Sequence, residues 1–242
     1  MPIVTSRSVV LQAYRYSDTS KILRLLTRDR GPVSVIARGA LRPRSRLSGL
    51  LEPFAEGHAT FYLKPNRDLH TLSGFDLIRE RQALGADLAR FAGASVLCEL
   101  VMRVAPREAD AGLFELLVDG LDALVSARED EVTAVAAAGI WRLIALLGFG
   151  PAVAACVDCG RPPDPERPAR FDVAAGGLRC HRCPQVGRHL PPEEVRALAT
   201  LAAGDPSVTP SPVHLSLLAD FIRWHAAEGS RIRSLDFFAG PS

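Results

Sequence analysis

Short runs with partial alternation of apolar and polar residues fill the first third of the chain. Residues 4–16 are rich in Val, Leu and Tyr and stop at Ser17-Asp18-Thr19-Ser20. A second run, 21–28, ends in the turn Asp29-Arg30-Gly31-Pro32, and 33–38 alternates in part, as a half-buried strand does. An arginine-rich loop leads to a fourth strand at 53–63. Pro65-Asn66-Arg67-Asp68 is a turn signal, and 69–78 reads as a fifth strand. Five strands in so short a stretch predict a small closed barrel, because closure removes exposed edges. An OB-fold is the first choice, and periodicity alone leaves an SH3-like barrel open.

After residue 80 the period changes to that of a helix. Residues 83–104 carry Leu84, Leu88, Phe91, Ser95, Cys98 and Met102 close to the 3.6-residue repeat, and Pro106 ends the run. Two more helices are expected at 111–127 and 131–147, the latter closed by Gly148 and Gly150. Pro191-Pro192-Glu193-Glu194 is a helix start, with proline in the first turn and acids at the positive dipole end; that helix ends at Gly204. A last long helix spans 211–227. The expected architecture is therefore α+β and multidomain: an OB-fold at 1–80, a helical domain at 81–150 and 191–242, and an inserted module at 151–190.

Charge sharpens this division. The whole chain has a net charge of +2, but residues 1–80 carry 13 Lys and Arg against 7 Asp and Glu, while the remainder carries 16 against 20. A basic barrel on an acidic remainder points to a polyanionic partner for the barrel. The N-terminal stretch lacks the apolar core of a secretory signal. The most apolar run, 132–150, is interrupted by Arg142 and is expected to be a buried helix, so no membrane is implied.

Four of the five cysteines form the pattern C-x2-C-x20-C-x2-C at Cys156, Cys159, Cys180 and Cys183. Each close pair aims two thiolates at one point, and two pairs complete a tetrahedron around Zn2+ with no position left for a substrate. One structural zinc is expected, organising a Pro-, Gly- and Arg-rich segment that could not bury a core unaided. Arg161, Arg179 and Arg182 stand where they could offset the thiolate charge. A deaminase site would need an H-x-E element, which is missing. Cys98, on a helix stripe, is expected in the core. His181, between two ligands, is an awkward replacement ligand.

Arg38, Arg42, Arg44 and Arg46 cluster in the loop after the third strand. On an exposed, mobile loop, guanidiniums favour phosphates by fork geometry and counterion release. Tyr14, Tyr16, Phe54, Phe61 and Tyr62 either fill the barrel or stack bases. There is no Gly-Lys dipeptide, no G-x-S-x-G and no H-E-x-x-H, so no hydrolase or ATPase constellation is legible. His58 and His70 lack ligand-spaced neighbours.

Several segments together resemble the RecO family of bacterial recombination mediators. They are Tyr14-Arg15-Tyr16-Ser17-Asp18-Thr19-Ser20, Leu25-Leu26-Thr27-Arg28-Asp29-Arg30-Gly31, Ala37-Arg38-Gly39-Ala40 with Arg42-Pro43-Arg44-Ser45, and Leu51-Glu52-Pro53-Phe54. The two cysteine pairs within a helical domain and the ending Arg231-Ile232-Arg233-Ser234-Leu235 fit as well. The loop uses arginine where the family pattern suggests some lysine, leaving its charge intact. The resemblance implies an OB-fold, a helical bundle and no catalytic turnover. It implies binding of single- and double-stranded DNA, strand annealing, and loading of recombinase onto strands coated by single-strand-binding protein. Implied partners are RecR and the acidic C-terminal tail of single-strand-binding protein, with a cytoplasmic, nucleoid-associated location. Phosphate contacts would fall to Arg38, Arg42, Arg44 and Arg46, with Lys21 and Arg24 as further candidates. An alternative from the residues alone is a zinc-ribbon adaptor that recognises protein and has no direct DNA role.

Overall fold

The computed structural model describes residues 2–65, 67–226 and 231–239. Its first five strands are β1 (Ile3–Arg15), β2 (Lys21–Thr27), β3 (Gly31–Ala37), β4 (Glu56–Tyr62) and β5 (Leu69–Arg79). They close a barrel in the order β1-β2-β3-β5-β4, with β4 returning to β1. The β3–β5 contact is parallel and the other pairs are antiparallel. This Greek-key closure is the OB-fold arrangement. Val10, Leu23, Leu25, Val35, Ala59 and Phe61 fill the interior.

The fourth strand starts later than its apolar pattern suggests. Phe54 adopts φ +72°, a left-handed backbone that a strand cannot accommodate, so Pro53–Ala55 turns before β4 begins. Turned this way, Phe54 leaves the barrel and packs edge-on against Phe91, ring centroids 5.7 Å apart.

The expected helix at 83–104 is two helices. Asp87 takes an extended backbone and its carboxylate accepts from Arg90 N at 2.8 Å, ending α1 (Ala83–Ala86) and capping α2 (Leu88–Val104). The stripe assigned to this region is only partly its buried face, which holds Leu84 and Cys98 of that stripe. Leu88 and Phe91 are exposed, whereas Ala92, Ala94, Val96, Leu97, Cys98, Leu100 and Val101 are buried, so α2 is enclosed on most sides. Cys98 sits in that core as expected, and burial pushes its thiol up to about 12.

Around α2 stand α3 (Ala111–Ser126), α4 (Val132–Ile144), α5 (Pro192–Ala202), α6 (Pro212–His225) and the short α7 (Arg233–Phe238). The end of α4 widens into a π-turn over Ala145–Phe149, where Gly148 at φ +90° stops it. Val132–Phe149 is long and apolar enough to cross a bilayer, but half of it is buried against the other helices. Residue 227, in the expected last helix, lies outside the described residues.

Between α4 and α5 a small sheet, β7-β6-β8, is built from β6 (Ala169–Asp172), β7 (Gly177–Arg179) and β8 (Arg188–Leu190). Its Phe171, Leu178 and Leu190 are fully buried in the same core as Trp141 and Phe221. The sheet is thus one wall of the helical domain. Barrel and helices meet through Val9, Leu11, Leu26 and Phe54, which join that larger core. Val9 and Leu11 face the helices by alternation about the inward Val10, and a bulge between Val10 and Gln12 then shifts the rest of β1 by one residue.

Candidate metal centre and nucleic-acid interface

Each cysteine pair sits on a tight knuckle. Gly160 N donates to Cys156 O at 2.9 Å with Gly160 at φ +70°, and Cys183 N donates to Cys180 O at 3.1 Å. Glycine at 160 meets the left-handed backbone that this turn demands. The four Sγ atoms lie within 4.8 Å of one another, and Cys159–Cys180 and Cys180–Cys183 are 3.8 and 3.7 Å apart. These separations are far from a disulfide. A tetrahedron with metal–sulfur bonds of about 2.3 Å has edges of about 3.8 Å, so the cluster fits one metal ion held by four thiolates.

The surroundings support ionised sulfur at one corner. Burial raises the Cys156 thiol, but N–H groups of Cys180, Cys159 and Asp158 aimed at its Sγ outweigh that and bring it to about 6. Cys183 is pushed up to about 12 by burial and by its crowded sulfur neighbours. Arg179 does not spend its charge on the thiolates. It pairs with Asp172 at 2.9 Å and with Asp158, tying the first knuckle to β6. His181 Nδ1 is buried and finds no hydrogen-bond partner among the described residues, and the ring is not among the converging ligands.

The arginine loop is more ordered than an open loop. Arg42 N bonds to Gly39 O, Ser45 N to Arg42 O and Ser48 N to Ser45 O, each at 3.1 Å, giving consecutive turns pinned by buried Ala40 and Leu51. Arg44 takes φ +66° within it. Arg38, Arg42, Arg44 and Arg46 are exposed, and their side chains pair with no acid among the described residues.

These candidates do not converge equally. Arg38 and Arg42 line a cleft of about 470 Å³ together with Tyr16, Lys64 and Arg67. Lys64 and Arg67 lie beside and within a turn signal, which draws no attention to their charge. The parallel pairing of β5 with β3 sets Leu69 beside Ser34, and the β4–β5 connection that precedes it lines the cleft with Ile36 and Arg38; no local pattern reveals that pairing. Arg44 and Arg46 lie outside the lining of this cleft. Lys21 donates to Glu52 at 2.8 Å, so its charge is already matched. Arg24 donates to Ser34 Oγ at 2.6 Å and lines a separate groove against α2.

Among the aromatics, Phe54 and Phe61 are buried and are not available to a base, and Phe61 stacks on His70. Tyr14 and Tyr16 are exposed, at 42% and 62%. His70 Nδ1 accepts from Lys64 N at 3.2 Å, and burial followed by the Lys64 charge lowers its pKa.

Known sequences agree with this architecture. The family description Recombination protein O N terminal matches residues 1–81, and Recombination protein O C terminal matches 85–231. A DNA repair protein RecO from Nocardioides sp. is 31% identical over 232 residues, covering 92% of this chain and 94% of its own. One from Anaeromyxobacter sp. (strain K) is 38% identical over 212 residues, 84% of this chain and 78% of its own. One from Rubrobacter xylanophilus is 33% identical over 207 residues, 84% and 82% respectively.

Proposed function

The chain belongs to the recombination protein O (RecO) family of DNA repair proteins, and from that premise we propose that it is a non-catalytic, cytoplasmic mediator that binds DNA through its barrel and anneals complementary strands. The observation that carries this reading is the cleft at the end of β3. Arg38, Arg42, Lys64 and Arg67 surround the exposed ring of Tyr16, with no acid paired to them among the described residues.

Unpaired cations on two facing loops present N–H forks to phosphates and release condensed counterions, a sequence-independent source of affinity. Tyr16 offers a π-face to one unstacked base. Bringing two complementary strands together is opposed chiefly by phosphate repulsion. A protein that screens it while leaving Watson–Crick edges free promotes annealing without any bond being made or broken. Arg44 and Arg46, farther along the loop, extend the same positive field to single- and double-stranded DNA.

The metal in the four-cysteine site is zinc, held by Cys156, Cys159, Cys180 and Cys183. With its shell filled by thiolates it supplies folding free energy and no catalysis. RecR and the acidic C-terminal tail of single-strand-binding protein are the protein partners, carried over from the family, and through them the chain helps load recombinase on coated strands.

A strand-annealing assay across salt, with and without single-strand-binding protein, tests this function. Annealing that weakens steeply as salt rises, with nucleotides left chemically unchanged, is expected. Absence of annealing at low salt would remove the mediator reading.

A further inference from the structure

Two basic cavities open on one face of the barrel. One is the cleft around Tyr16. The other is a groove of about 610 Å³ between the barrel and the helical domain, reached by Arg24 of β2, Arg103 of α2 and Arg233 of α7. Phe91, 44% exposed, stands in its wall. Glu99 is the acid in the groove. Its oxygens are engaged by Arg233 N at 3.2 Å, Ser234 N at 3.1 Å and Ser234 Oγ at 2.8 Å, with Arg103 at 3.7 Å.

Strand register connects the two cavities. Leu23, Leu25, Val35 and Ala37 point into the barrel, so Ile22, Arg24, Ser34 and Ile36 point out; on β1 the bulge after the inward Val10 reverses the alternation, so Gln12 and Tyr14, opposite Arg24 and Ile22, point out as well. On β3, Ser34 lines the groove while Ile36 and Arg38 line the cleft, in steps of two residues. On β1, Gln12 lines the groove and Tyr16 the cleft, with the half-exposed Tyr14 between them. From Ser34 to Arg38 the distance along the strand is about 13 Å, at about 3.3 Å per residue.

We propose that a single strand held in the cleft continues over Tyr16 and Tyr14 into the groove, where Arg24, Arg103 and Arg233 take its phosphates. The helical domain then supplies a second nucleic-acid contact. This rests on the reading that the arginine loop binds DNA. Charge and surface chemistry favour a single strand as occupant. The cations recur at both ends of the path, as a polymer of regularly spaced phosphates requires. The two tyrosines between them offer faces to unpaired bases, which a duplex keeps stacked inside itself. A short acidic peptide would use the groove but not the tyrosine path.

Fluorescence anisotropy with the full chain and oligothymidines of increasing length tests the path, with melting temperature as a folding control. Arg103→Ala/Arg233→Ala removes both guanidiniums and leaves the anchor of α7 in place, because Glu99 holds α7 through backbone N–H groups and Ser234. On oligomers of about 12 nucleotides, within the range of one OB-fold site, this variant is expected to bind several-fold more weakly. Its salt slope should be shallower by about 0.7 for Arg233 and by at most about 0.7 more for Arg103, which must first leave Glu99. On oligomers of about 4 nucleotides it should match the parent. Tyr14→Ala should weaken only the longer oligomer, by about 5-fold or more.

If Arg38→Ala/Arg42→Ala weakens binding at both lengths while the groove and Tyr14 variants change nothing, the path is overturned and the loop site stands. If no variant weakens binding, the DNA reading fails with it. A groove variant that loses an acidic peptide ending in apolar residues yet keeps full affinity for long oligomers also overturns the proposal, and assigns the groove to protein.

Discussion

Arg81 Nη2 lies 2.8 Å from Glu56 Oε2, with the two side chains 1% and 0% exposed. The pair sits where the barrel meets the helices. Glu56 also accepts from Arg7 Nε at 2.7 Å, while Arg81 donates to Phe54 O at 2.8 Å and to Asp122 of α3 at 2.6 Å. One buried carboxylate from β4 and one buried guanidinium following β5 thereby bind both domains and hold the left-handed turn at Phe54.

Breaking this pair from one side leaves a buried charge with only its part-exposed second partner, Arg7 for Glu56 or Asp122 for Arg81. Glu56→Ala and Arg81→Met are each expected to cost about 3–5 kcal/mol of stability. Removing both partners together, as Glu56→Ala with Arg81→Met, should cost less than the sum of the two single changes. Denaturant unfolding of the three variants checks it. Single-variant losses under about 1 kcal/mol would mean that the network is not a structural joint.

Acid should loosen the same joint. Burial raises the Asp122 carboxyl, but Arg81 and Arg79 outweigh it and hold it below the usual range. Glu115 is lowered first by its bond to Arg28, against burial, with help from Arg7. A folded carboxyl with a depressed pKa binds its proton less readily than the unfolded one. Its stabilisation is therefore complete above the unfolded value, about 4, and is lost as pH falls through the folded value. Melting temperature should be flat on this account from pH 7 to about 5 and fall below about 4. Asp122→Asn should melt lower at pH 7 and lose less on acidification. An acid limb as steep as the parent's in that variant would exclude Asp122 as a source.

Removing the metal should injure the helical domain. Phe171 packs against Phe221 with ring centroids 6.0 Å apart, and His225 Nε2 lies 2.6 Å from Val173 O, so the small sheet and α6 share one core. Chelation, or Cys156→Ser with Cys180→Ser, is expected to lower the melting temperature clearly and to change oligonucleotide affinity little under conditions where the barrel stays folded. Unchanged thermal stability after metal loss would count against a structural role.

The sequence was most informative where local chemistry repeats at short range. Short apolar runs bounded by turn signals mark all five barrel strands, and paired cysteines mark the candidate ligands, because both signals act over a few residues. Asp87 was not legible as a break, since the apolar run passes through it and only its extended backbone makes it a cap. The buried face of α2 was hidden for a different reason. That helix is enclosed on most sides, so a stripe drawn through Leu88 and Phe91 selects residues that are in fact exposed. Lys64 and Arg67 reach the cleft only through strand closure, and Lys21 is matched by Glu52 only because the arginine loop folds back over β2.

That last contact separates basic residues that look alike in sequence. Arg38, Arg42, Lys64 and Arg67 have no acid partner among the described residues, so each can exchange counterions for a phosphate. Lys21 must first leave Glu52, 2.8 Å away, so a phosphate gains it little net charge. On single strands each lost phosphate contact flattens the salt dependence by about 0.7. Arg38→Ala/Arg42→Ala and Lys64→Ala/Arg67→Ala should each reduce the slope by about 1.4, whereas Lys21→Ala should leave it nearly unchanged. Titrations of a single oligothymidine at several salt concentrations give all three slopes. A Lys21 effect equal to that of an unpaired arginine would show that the Glu52 pair opens on binding, and equal slopes in all variants would move the phosphate contacts away from this face.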